Sequence, residues 1–289
     1  MKTRFGWLIA NLVVTLAQAQ DRSLVSLAVN HSPVDHALTH SLTKYTFNLN
    51  APIRRSEHRT WLAGLRTEWL RAGGLPGGAE SLFGLSAQLI HLHSFNERVQ
   101  GQFLAGSGLY SDLAGRVGAA WRFTTAFRVR VQRSDRLSYA GGLGYIGQFY
   151  GHMLIPTLEI DQKITEKWQW RAILPARLQA TYKPRRRHEF SASVGGNNDS
   201  YRLSEERLRR YVQIRQVEAG VGWEYRLLAY LSLQVRSGYF VRRRLEIYEA
   251  DQKGVVSFGP FIDLGDNKRT ATFSIADPAP FFQVTVAVK

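Results

Sequence analysis

Apolar and polar residues alternate with period two through most of the chain beyond residue 20, and helical periodicity is scarce. The clearest stretch is Val117 to Val131. There Val117, Trp121, Phe123, Phe127, Val129 and Val131 share one parity, and Gly118, Arg122, Thr124, Arg128 and Arg130 share the other. An extended strand with that pattern has one greasy face and one small or basic face. Leu137 to Phe149, Val217 to Tyr225 and Leu231 to Val241 repeat it. From Trp168 to Tyr182 the apolar parity is kept across Pro175, which reads as one long strand with a proline irregularity. A two-residue hairpin at the proline would reverse the parity, so a hairpin is the second choice. Further strands are expected at Leu24 to His31, Lys44 to Asn50, Arg59 to Leu70, Leu82 to His93, Val99 to Gly108, Met153 to Asp161, His188 to Gly195 and Phe281 to Val288.

These strands number twelve or thirteen, and a closed bacterial barrel takes an even count. The expected fold is therefore all-β: an antiparallel transmembrane β-barrel of about twelve strands, or fourteen if Val255 to Leu264 also pairs. The competing fold is a soluble β-sandwich, which alternates as well. Strands of twelve to fifteen residues disfavour it, because soluble sheets run to about five or six residues per strand. Aromatic residues near strand ends, such as Trp61, Trp69, Trp168, Trp170, Trp223, Tyr225, Phe281 and Phe282, suit the girdles of a membrane barrel.

Residues 1–20 read as a signal peptide, with Lys2 and Arg4 before the apolar Phe5 to Leu16 and a small-x-small site at Ala17-Gln18-Ala19. Residues 21–289 then form the barrel domain. The net charge of +15 falls by the two charges of Lys2 and Arg4 to +13, so the mature chain is still basic. In an exported protein that points to anionic lipid, including lipopolysaccharide phosphates, and away from nucleic acid. With no cysteine, neither disulfides nor thiolate metal sites are available.

Strand parity makes the arginines the informative polar residues. Arg66, Arg122, Arg128, Arg130, Arg171, Arg236 and Arg242, with Glu218 and Glu224, are expected to line the lumen. Arg177, Arg226, Arg244, Glu68, Glu159, Asp161, Glu189 and Glu246 are expected there too. So nearly balanced a lumen suits a cross-braced plug as well as an anion-selective pore. Other arginines, at Arg54, Arg55, Arg185 to Arg187, Arg207, Arg209 and Arg210, fall in loops or turns. Gly142-Leu143-Gly144-Tyr145-Ile146-Gly147 satisfies a dinucleotide-binding spacing, but no helix follows it, and inward glycines that make room in a lumen explain it better. His91 and His93 share a strand face without an evident third metal ligand, so no metal or cofactor is expected. Ser107 lies in no nucleophile elbow, although a lipid-modifying enzyme could assemble its residues from separate strands.

Leu154-Ile155-Pro156-Thr157-Leu158-Glu159-Ile160, Glu166-Lys167-Trp168, Ile173-Leu174-Pro175, Tyr182-Lys183-Pro184, Gly195-Gly196 and Tyr201-Arg202-Leu203, with the early Asn48-Leu49-Asn50-Ala51-Pro52, resemble an uncharacterised family of outer-membrane β-barrel proteins. The resemblance implies the fold, a Gram-negative outer membrane and the barrel-assembly machinery as a partner; it implies no catalytic residue. The chain ends Val286-Ala287-Val288-Lys289, without the terminal aromatic usual in such barrels. The function expected is a non-enzymatic barrel, structural or passively channel-forming. A lipid-modifying enzyme and an exported soluble binding protein are the alternatives.

Overall fold

A computed structural model describes residues 23–33, 41–72, 80–114, 120–203, 210–252, 256–258, 262–264 and 269–289. The expected signal peptide, the first residues of the Val117 stretch, Arg207 and Arg209 lie outside them. Among the described residues the regular elements are all strands: β1 (Val25–Pro33), β2 (Ser41–Arg55), β3 (Arg59–Ala72), β4 (Ser81–Ser94), β5 (Val99–Ser111), β6 (Trp121–Ser134), β7 (Leu137–Gln148), β8 (Gly151–Lys163), β9 (Trp168–Leu174), β10 (Arg177–Arg185), β11 (His188–Arg202), β12 (Arg210–Arg226), β13 (Leu231–Glu249), β14 (Val256–Phe258), β15 (Ile262–Leu264), β16 (Phe273–Ile275) and β17 (Ala279–Val288).

Each of β1 to β12 pairs antiparallel with the next, β13 pairs with β17, and β17 returns to β1 through Val25↔Val288 and Asn30↔Gln283. Fourteen of the described strands thus close a ring, which leaves no edge to aggregate. The count is the larger of the two expected, and it arises by a different route. Trp168 to Tyr182 is not one strand but the β9–β10 hairpin, with Ile173 opposite Arg177. Its three-residue connection pairs residue i with i+4, so the apolar parity survives the turn; only a two-residue loop reverses it. Val255 to Leu264 does pair where described, but outside the ring. Strand β14 joins β15 and lies parallel to β8 through Ser257↔Met153 and Phe258↔Leu154.

The two ends of the barrel differ. At one, the connections 56–58, 95–98, 135–136, 164–167, 186–187 and 227–230 are turns of two to four residues. At the other, 34–40, 73–80, 112–120, 203–209 and 250–278 are longer, and only the β7–β8 and β9–β10 turns are short. The side chains split as the alternation requires. On β6, Trp121, Phe123 and Phe127 are 51%, 62% and 54% exposed, whereas Arg122 between them is 7% exposed. Leu65, Leu89, Leu143, Leu158, Val194 and Val221 continue this apolar outer belt around the ring.

Small residues let the inner face close. Gly142, on the inner face of β7, sits where a Cβ would lie 2.3 Å from the Phe127 carbonyl oxygen. Gly220 and Gly238 face each other across β12 and β13 under the Phe281 ring, which lies 3.0 and 2.9 Å from their would-be Cβ positions.

Candidate functional site in the barrel lumen

Inner-face positions of adjacent strands stand directly across from one another, so charges placed two residues apart on several strands meet in clusters. Arg128 and Arg130 on β6 donate to the two oxygens of Glu159 on β8, each at 2.5 Å, and Arg128 also donates to Gln102 on β5 at 2.8 Å. Next along the wall, Arg171 on β9 donates to Asp161 on β8 at 2.7 Å. Arg236 on β13 reaches Glu218 on β12 at 2.9 Å and Ser193 on β11 at 3.1 Å, and Arg177 on β10 approaches the same Glu218 at 3.4 Å. Arg66 meets Glu68 at 3.3 Å, and Glu68 also binds Lys44. Lys44 in turn lies 3.3 Å from Asp199 on β11. Near the short-turn end Glu224 pairs with Lys289 at 2.6 Å and Glu189 with Lys183 at 3.0 Å, while Arg226 is exposed.

Arg242 departs from the expected set. Strand β13 is bulged: Val217 stands opposite Arg242 while the next residue, Glu218, stands opposite Phe240, so Val241 is the extra residue. A one-residue slip moves every later side chain to the other face. Arg242 and Arg244 consequently leave the lumen face, and Glu246 follows their parity. Arg243 takes the inward place, buried and donating to Ser32 Oγ at 3.0 Å and to the Pro33 carbonyl at 2.6 Å. Reading alternation through Val241 missed Arg243 because a bulge leaves no mark on a run such as Tyr239 to Leu245. Lys44, Asp199 and Tyr201 were also missed. The first follows from parity with Thr46 and Asn48, and the other two from extending the Glu189, Ser191, Ser193 face past Gly195.

The last residues of β11 lose their β10 neighbour but stay paired with β12 as far as Arg202↔Tyr211, and they lean across the ring. Gly195 is its last partner to β10, and at its far end Arg202 pairs in parallel with Ser111 of β5, six places away on the fourteen-strand ring. Arg122 donates to the Ser200 carbonyl at 2.9 Å while its guanidinium stacks 4.0 Å from the Tyr110 ring centroid. Gln148 donates to the Asn198 carbonyl at 3.2 Å and accepts from Ser200 Oγ at 2.7 Å. Around this crossing, Leu42, Leu70, Leu82, Tyr201, Val212, Ile214 and Leu245 form a buried apolar cluster that joins β2–β4 to β11–β13. Beneath it lies a chamber of about 450 Å³, walled by Ser, Thr, Asn and Gln side chains with Arg66, Arg177, Arg236 and Glu218.

Residues considered for other chemistry lie elsewhere. His91 and His93 are on the outer face, ring centroids 6.2 Å apart, in a ladder running from Trp61 to Phe95. Among the described residues no group of three His, Cys, Asp or Glu is placed to hold a metal. Ser107 is also on the outer face, between Ala87 and Phe123. Gly142 and Gly144 lie within β7 with no helix after them.

Closed antiparallel ring, apolar outside and ion-paired inside together define an outer-membrane-type β-barrel. The chain belongs to the family described as a domain of unknown function (DUF6268), whose model matches residues 78–267. No curated protein matches it. Among solved structures it is similar to the NanC porin, with a TM-score of 0.41 and 8% identity over 92% of this chain and 99% of that one. It is also similar to the translocator domain of the autotransporter NalP from Neisseria meningitidis, at 0.39 and 11% over 99% and 96%. LpxR from Salmonella typhimurium matches at 0.34 and 7% over 90% and 99%.

Proposed function

We propose that the protein is exported behind a cleaved signal peptide in residues 1–20 and resides in the outer membrane of a Gram-negative bacterium as a non-enzymatic barrel. Its lumen is braced by Arg/Glu clusters and closed at the long-loop end. The observation that carries the reading is the crossing of β11, which ties Arg202 to Ser111 on the far side of the ring and seats Tyr201 in an apolar cluster above the chamber. Lumen arginines then serve first as braces, since the clusters around Glu159, Asp161 and Glu218 each spend them on a carboxylate of another strand.

The test is heat-modifiable migration in detergent gels followed by current recording in planar bilayers. The wild type should run as a heat-modifiable band and pass little current. Removing the crossing's two anchors, with Arg122→Ala and Gln148→Ala, should produce stepwise conductance. A wild type that conducts steadily as an open pore would defeat the closed-lumen reading, and a protein monodisperse without detergent would defeat the membrane reading itself.

A further inference from the structure

The outer surface of β9–β12 at the short-turn end combines two features. Trp168, Tyr182, Phe190 and Trp223 stand in register across the four strands and form one aromatic row. In the next outward row, Ala180 on β10 faces Ala192 on β11, so the wall drops to methyl height. The result is an apolar groove of about 480 Å³ on the outer face of the ring. Directly below it, the β10–β11 turn carries Arg185, Arg186 and Arg187, with Arg185 opposite the outward-facing His188; these arginines also rim a cleft of about 440 Å³ whose other wall, Lys183, Glu189, Glu224 and Arg226, faces the lumen. His188 joins the two: it lines the cleft, and the Trp223 indole nitrogen donates to its Nδ1 at 3.2 Å.

The charges of the cleft do not cancel. Its acids all have cations of their own: Glu189 has Lys183 at 3.0 Å, Glu224 has Lys289 at 2.6 Å and Glu166 has Arg136 at 3.6 Å. Among the described residues no carboxylate is left for Arg185, Arg186 and Arg187. Guanidinium groups bind phosphate oxygens in bidentate fashion. An apolar groove that ends on unpaired arginines therefore has the chemistry of an acyl chain joined to a phosphate.

We propose that this surface is a specific site for one anionic phospholipid, its chain lying over Ala180 and Ala192 and its phosphate among Arg185, Arg186 and Arg187. The proposal rests on the membrane reading above. Barrels of this type keep short turns on the periplasmic side, where the leaflet is phospholipid, so the occupant is a glycerophospholipid and not lipopolysaccharide.

The experiment is native mass spectrometry of the full protein in nonionic detergent with phosphatidylglycerol or phosphatidylcholine of matched chains. One phosphatidylglycerol should be held under activation that strips phosphatidylcholine. The variant R185Q/R186Q/R187Q should lose that preference by about tenfold, the scale of one or two charge-assisted hydrogen bonds. R54Q/R55Q, at the same end but away from the groove, should keep it. Ala180→Trp, which fills the groove and leaves the arginines intact, should release the lipid as well. Heat-modifiable migration checks that each variant is folded. Equal retention of the two lipids, or an unchanged preference in either the triple variant or Ala180→Trp, overturns the site. A heat-modifiable barrel without selectivity defeats only the lipid site, whereas a detergent-free soluble protein defeats the membrane reading beneath it.

Discussion

A buried glycine on a strand is worth attention only where something occupies the space of its missing side chain. At Gly238 a Cβ would lie 2.2 Å from the Ala219 carbonyl oxygen and 2.6 Å from Gly220 Cα, with the Phe281 ring close above. These are backbone atoms of a paired strand and cannot move aside singly. Gly238→Val should therefore destabilise the barrel by about 1–3 kcal/mol, the usual cost of overpacking. A lower urea midpoint for tryptophan fluorescence in detergent would register it, and Gly141→Val serves as the control because nothing lies within 4 Å of its would-be Cβ. The sequence alone shows that glycines are frequent on one parity of these strands. It does not show which of them carry an aromatic ring, since Phe281 is more than forty residues from Gly238 and reaches it only through the closing pair β13–β17.

Pairs of strands set the next level of cost. Glu159, 3% exposed, is the shared partner of Arg128 and Arg130 and holds β6 to β8 across β7. Glu159→Gln removes the charge and leaves two guanidinium groups facing each other without it. Breaking a buried ion pair from one side costs about 3–5 kcal/mol, and water in the lumen should hold the loss to the lower end. The same urea titration should show a drop larger than that of Arg177→Gln, because Glu218 retains Arg236 when Arg177 is gone. At this scale the sequence was partly legible. Alternation located most strands and their inner faces, because one buried face and one lipid face oblige each strand to keep its period. It was blind to loop length at Pro175, where a three-residue turn conserves parity, and to the Val241 bulge, where parity changes inside a strand. Both events are set by how neighbouring strands pair. The bulge makes its own prediction: a cysteine at Arg243 should resist a bulky maleimide while one at Arg242 reacts, the reverse of what unbroken alternation would give.

For the whole molecule, the ring closure and the asymmetry of its connections predict a direction across the proposed membrane. The closed all-β ring was readable from alternation and strand length, but which arginines lie at which end depends on counting strands correctly. Arg54, Arg55 and Arg185 to Arg187 all sit at the short-turn end, on the side away from the long connections. Since such barrels keep short turns in the periplasm and long loops outside, these arginines should be shielded from the cell exterior. The chain has no cysteine, so a single introduced thiol gives an unambiguous signal. In intact cells, a membrane-impermeant maleimide should label Asp251→Cys, in the long β13–β17 connection, and should leave Arg186→Cys and Asp135→Cys unlabelled until the outer membrane is permeabilised. All three positions are exposed, so accessibility differs only by side. Labelling of Arg186→Cys and Asp135→Cys in intact cells, with Asp251→Cys protected, would invert the barrel and move the arginine cleft to the lipopolysaccharide leaflet. Labelling of all three would place the protein outside any membrane barrier.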